Sequence, residues 1–158
     1  MNFLSSLKLS KKLFVLAFAP IIIMLAFGMY QSYQAFSLRD NSSQLEQMVE
    51  FSVSASNLVH ELQKERGMTA GFLGSQGKKF ADTIIDQRKL VDEKSALLHQ
   101  FLSGFDARAI NQKFSDKLAA ALDRLKLIEE KRAAISSQSI AAGEAISYYT
   151  KNNSALLE

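Results

Sequence analysis

An arginine on the apolar side of a helix needs a partner, and this sequence places Arg66 and Arg88 on stripes otherwise built from apolar and small residues. A guanidinium offers planar, forked donors that suit a carboxylate or a small planar oxyanion. After Arg66, the run from Gly67 to Gly74 puts three glycines into eight positions, each costing about 1 kcal/mol relative to alanine inside a helix. Bare backbone of this kind lets a facing helix or a ligand come close. Arg66 is therefore the leading candidate for an anion contact, with Glu65, Gly67 and Thr69 in support. Fraying ahead of a turn explains Gly71 and Gly74 better than it explains Gly67. For Arg88, salt bridging to Glu65 or Asp92 weighs more than a ligand role. Arg132 reads as a side chain that lies along apolar surface with its head in water. Tyr148, Tyr149, Thr150 and Asn153 give the last helix a polar aromatic face, one tyrosine in the core with its hydroxyl at the edge and the other exposed.

Other chemistries fail on spacing. His60-Glu61-Leu62-Gln63-Lys64 starts like the zinc protease helix but has lysine where the second histidine must stand. His99 is far away, so no metal site is expected. Gly67, Gly71 and Gly74 follow a helix where a dinucleotide fingerprint requires a strand. There is no cysteine, which removes thiol nucleophiles, disulfides and haem attachment. No nucleophile, metal set or acid/base pair converges, so neither an enzyme nor a cofactor is expected.

The elements that must hold Arg66 and Arg88 are helical throughout. Leu45, Val49, Ser52, Ala55, Val59, Leu62, Arg66, Thr69 and Leu73 recur at helical spacing, and Gly74, Ser75 and Gly77 then form a turn. A second stripe runs through Phe80, Ile84, Arg88, Val91, Ser95, Leu98 and Leu102. A third runs through Phe114, Leu118, Leu122, Leu125, Ile128, Arg132 and Ile135. After the break at Ser136-Ser137-Gln138-Ser139, where Ser139 can cap, a fourth carries Ile140, Gly143, Ile146, Thr150, Asn153 and Leu157. Four helices joined by short connections predict an antiparallel up-and-down bundle over residues 42–158.

Ahead of the bundle, residues 13–30 form a run of 18 residues without a charge. With a rise of about 1.5 Å per residue and its flanks included, such a run can cross a hydrocarbon layer of roughly 30 Å. Lys8, Lys11 and Lys12 precede it, so residues 1–12 are expected to be cytoplasmic and the chain beyond about residue 31 exported. A cleavable signal peptide is the rival, with Ala26 and Gly28 suitably small, but the apolar run is longer than such peptides use. Residues 31–38 hold no proline or glycine, so the membrane helix is expected to continue into the first bundle helix. With those three lysines set aside from the 19 Lys and Arg, the rest equal the 16 Asp and Glu. The exported part is therefore neutral, and nucleic-acid binding is not expected. The last residues, 152–158, end in mid-helix without a cap, which reads as a fragment.

At Leu62-Gln63-Lys64-Glu65-Arg66-Gly67-Met68-Thr69-Ala70-Gly71-Phe72-Leu73 the sequence resembles the nitrate- and nitrite-sensing (NIT) family of bacterial receptors and regulators. Gly77, Phe80, Gln87-Arg88 and Asp92 continue the likeness, as do Tyr148-Tyr149-Thr150, Asn153 and Leu156-Leu157. The resemblance implies the first half of a sensor domain about twice this length, with arginines between helices holding a small anion, nitrate or nitrite. Arg66 would be the ligand and Arg88 its support. Tail, membrane helix and exported bundle together resemble a methyl-accepting chemotaxis receptor of the bacterial inner membrane, acting as a homodimer. A membrane-anchored interaction or dimerisation module, and the same sensor joined to a kinase or cyclase, are the alternatives.

Overall fold

The computed structural model describes the backbone of residues 9–158 and the side chains of residues 18, 20–33 and 44–158. It divides into two units, Met1–Leu45 and Glu46–Glu158. Among the described residues there are six helices: α1 (Leu9–Gly74), α2 (Thr83–Leu102), α3 (Ala107–Ile110), α4 (Gln112–Leu125), α5 (Ile128–Ser136) and α6 (Ala142–Leu157). Among the described residues no strand occurs.

In the first unit Pro20 lies inside α1 without ending it. Every side chain described between residues 18 and 33 is exposed, including Ile21, Ile22, Ile23, Met24, Leu25 and Phe27. Among the described residues no helix is long and apolar enough to cross a membrane. Side chains 13–17 and 19 of the expected span, and residues 1–8 of the expected cytoplasmic tail, lie outside the described residues. The membrane helix therefore rests on the sequence alone.

The second unit is a helical bundle whose chain direction alternates. Glu61 meets Gln87 while Phe51 meets Phe101, so α2 returns along α1. Arg88 reaches Ser136 and Asp92 reaches Arg132, reversing direction again. Tyr148 bonds to Arg124 and Glu144 to Lys131, which sets α6 against α4 and α5. The core comprises Phe51, Ala55, Leu58, Val59 and Leu62 from α1, Val91 and Leu98 from α2, Leu118, Ala121, Leu125 and Ile135 from α4 and α5, and Ala145, Tyr149 and Leu156 from α6. Phe51 stacks on Phe105 and meets Phe114 edge-on, with centroids at 5.8 and 5.3 Å, so aromatic packing closes one end of the bundle.

Several expected registers shift. Leu45 and Val49 are exposed, and the core face of α1 runs instead through Phe51, Leu58, Leu62, Glu65 and Thr69. In α6 the buried set is Ala145, Tyr149, Asn152, Asn153 and Leu156, leaving Gly143 and Leu157 outside. The expected third helix is two. Leu127 N–H bonds to Arg124 O, three residues back, and the same carbonyl accepts the Tyr148 hydroxyl at 3.1 Å. That tightened turn separates α4 from α5.

Both long turns end their helices alike. Gly77 N–H bonds to Phe72 O and Gln76 N–H to Leu73 O, while Ser139 N–H bonds to Ala134 O and Gln138 N–H to Ile135 O. These are Schellman closures with glutamine at the left-handed position, φ being 55° for both Gln76 and Gln138. Ser139 is consequently spent on closing α5, and α6 is capped at Ala141 without a side-chain bond. Gly77 has φ 78°, and a Cβ there would meet Gln138 Nε2 at 2.6 Å. Gly77→Ala is therefore expected to lower stability by about 1–2 kcal/mol in chemical denaturation, whereas Gln76→Gly should raise it.

Candidate functional site

The polar centre of the bundle is Glu65, which is 0% exposed. It shares the buried face of α1 with Leu58 and Leu62, where an unpaired carboxylate would be costly. Arg132 of α5 neutralises it through two parallel bonds, Nε to Oε1 and Nη2 to Oε2, both 2.8 Å. The Tyr149 hydroxyl donates to Oε1 at 2.8 Å and Arg88 Nε stands 3.5 Å from the same atom. On its other side Arg132 donates from Nη1 to Asp92 at 2.6 Å and Glu129 at 2.7 Å, and from Nη2 to Arg88 O at 3.2 Å. Four helices, α1, α2, α5 and α6, thus meet on one ion pair.

Arg132 is 4% exposed, which corrects the expectation that its head lies in water. The α5 stripe turns the residue inward, and the acids around it remove the need for hydration. Burial opposes its charge, but hydrogen bonding and attraction from Glu65, then Asp92, outweigh that and hold its pKa above the ordinary arginine value. Burial first, and Glu65 next, push the Tyr149 phenol above its usual range, and burial lifts Tyr148 up to about 12. The Gln87 amide, donating to Oε2 at 2.7 Å, and Lys64 hold Glu61 below the usual carboxylate value. The expected pair of tyrosines is thus corrected in detail: Tyr149 is wholly buried with its hydroxyl at the centre, and Tyr148 is half-buried.

Because the folded-state pKa of both phenols lies above the ordinary 10.0, the folded chain holds these protons more tightly than the unfolded one. Their contribution is complete below pH 10 and is lost as pH rises beyond it. The denaturation midpoint should fall across the range from about 10 to 12, and Tyr149→Phe should flatten that fall. At neutral pH the same variant should cost about 1.5–3 kcal/mol, the worth of a hydrogen bond to a charged group.

The residues singled out by sequence separate into two places. Arg88 joins the buried centre: Nη1 donates to Ser136 at 2.9 Å and Nη2 reaches Arg132 O at 3.5 Å. Glu65 belongs there too, as an acceptor, and so cannot itself hold an anion. Thr69 is wholly buried, and among the described residues its hydroxyl has no hydrogen-bond partner. Arg66 stands elsewhere, at the seam of α1 and α6, partly exposed, with Nη1 donating to Thr150 Oγ1 at 3.1 Å. The Thr150 hydroxyl in turn donates to Ile146 O at 2.9 Å. Among the described residues Arg66 forms no ion pair, whereas Arg88 and Arg132 both do.

Of the glycines beside Arg66, Gly71 is accounted for within the chain. A Cβ there would clash with the Phe80 ring, and Phe80 reaches it from a left-handed backbone, φ 62°. Phe80 is thereby drawn out of α2, which begins at Thr83, and it does not extend the α2 stripe. Gly67 has nothing within 4 Å of a Cβ position. Gly67→Ala should accordingly raise stability by about 1 kcal/mol, the difference in helix propensity.

The site is thus a buried ionic network at the centre of a helical bundle, beside which, among the described residues, the partly exposed Arg66 forms no ion pair. The chain belongs to the family described as nitrate and nitrite sensing, whose model matches residues 57–158. That stretch covers Glu65, Arg66, Arg88, Arg132 and Tyr149 and begins just inside the bundle. No curated protein and no solved structure matches the chain.

Proposed function

We propose that the chain is the input part of a bacterial transmembrane receptor, a chemoreceptor, whose exported bundle responds to nitrate, nitrite or a similar small anion through Arg66. The observation that carries this reading is the unequal charge balance of the three arginines. Glu65, Asp92 and Glu129 surround Arg132 and Arg88, so an anion approaching them meets carboxylates already in place. Among the described residues Arg66 has the Thr150 hydroxyl as a partner and no ion pair, and nothing lies within 4 Å of a Cβ position at the neighbouring Gly67. A partly desolvated guanidinium beside a hydroxyl is suited to a planar oxyanion. The uncharged run 13–30 behind three lysines supports a membrane anchor with the amino terminus in the cytoplasm. The exposed Val49 and Val53 of α1 favour pairing of two copies along that helix.

Calorimetric titration of nitrate into the detergent-solubilised chain tests the ligand. Heat that Arg66→Ala abolishes is expected, and absence of heat with the native chain removes the anion reading. If Arg66→Ala instead lowers stability and leaves every ligand response intact, the chain is an interaction module.

A further inference from the structure

The donors around Glu65 form an oxyanion site. Arg132 presents its Nε and Nη2 edge to the two carboxylate oxygens at 2.8 Å and Tyr149 adds a hydroxyl at 2.8 Å, while Arg88 Nε, buried and without a hydrogen-bond partner among the described residues, stands 3.5 Å from Oε1 as a spare donor. The group they hold is planar, carries one negative charge and is bound through two oxygens. Nitrate, nitrite and formate share that geometry, and a guanidinium edge does not distinguish a tethered carboxylate from a free one. We infer that the bundle interior contains a second site for a small planar oxyanion, built by Arg132, Arg88 and Tyr149, and that the chain's own Glu65 carboxylate is its resident ligand.

The surroundings fit this assignment. A groove of about 370 Å³, lined by Arg88, Asp92, Glu129, Arg132 and Ser136 among others, reaches Arg132 from outside. Asp92 and Glu129 stand at its exposed side, with side chains 56% and 75% exposed. They repel anions while Glu65 occupies the inner face. An external anion enters only when Glu65 is withdrawn, because a tethered carboxylate competes at a high effective concentration. Glu65 thus acts as a tethered competitor, holding α1, α2, α5 and α6 in the packing that an occupied site would impose. The inference does not depend on Arg66.

Chemical complementation tests it in the full chain, with Arg66→Ala present throughout so that binding at that residue cannot contribute. Glu65→Ala removes the resident carboxylate. Formate or nitrate, compared with chloride and sulfate at equal ionic strength, should then raise the thermal midpoint by roughly 5–10 °C at about 100 times the Kd. If this variant is unfolded in chloride, the same anions should restore its helical circular dichroism. Adding Arg132→Met should abolish the effect in either case. Equal response to all four salts, no recovery of helix in formate or nitrate, or a response that survives Arg132→Met would overturn the inference.

Discussion

Arg132→Ala is expected to destabilise the bundle by about 3–5 kcal/mol, the cost of leaving a buried carboxylate without its partner. Urea denaturation followed by circular dichroism measures it. The size follows from geometry, since Glu65 is fully buried and loses both 2.8 Å bonds at once. Neither Tyr149 nor Arg88, at 3.5 Å, can replace them. A guanidinium lying along the surface would give a loss nearer 0.5 kcal/mol, so the result discriminates between the two positions for this residue. Replacing both partners, Glu65→Leu with Arg132→Met, should recover most of the loss, because two apolar groups leave no charge to be neutralised.

Leu62→Ala is the second large effect, about 2–5 kcal/mol from lost burial and the cavity left behind. Leu62 is 0% exposed and sits one turn from Glu65, so the cavity would also loosen the ionic centre. Val49→Ala, on the same expected stripe but 56% exposed, should change the stability of a single copy by no more than about 0.5 kcal/mol. The contrast measures where the core face of α1 begins.

Much of this fold was legible from spacing. Helical periodicity named the long helices and their up-and-down order, and Gly74, Ser75 and Gly77 located the first turn. What spacing could not resolve was which of two adjacent residues faces inward. Glu65 and Arg66 differ by about 100° around a helix, and the three- and four-residue spacing from Leu62 to Thr69 admits either of them, so spacing alone places Arg66 on the stripe. A buried glutamate becomes tolerable only with Arg132 as its partner. The available signal was position: Arg132 stands between Leu125 and Ile135 on the third stripe, a place for a buried side chain. Similarly, the extra turn between α4 and α5 depends on the Tyr148 hydroxyl reaching Arg124 O, a contact between distant residues that no local pattern encodes. Fraying ahead of the turn is the reading that spacing favours for Gly71, yet Gly71 is a place of close approach, the approaching group being Phe80 of the same chain, while Gly67 is the glycine with nothing against it.

The three arginines on the helix stripes divide into two kinds: among the described residues Arg132 and Arg88 pair with the chain's own carboxylates, whereas Arg66 forms no ion pair and is open to an anion. Nuclear magnetic resonance of the arginine side-chain Nε–Hε groups during nitrate titration tests that division directly. The Arg66 signal should shift in a saturable way while those of Arg132 and Arg88 stay in place. A saturable shift at Arg132 with Arg66 unmoved would contradict it.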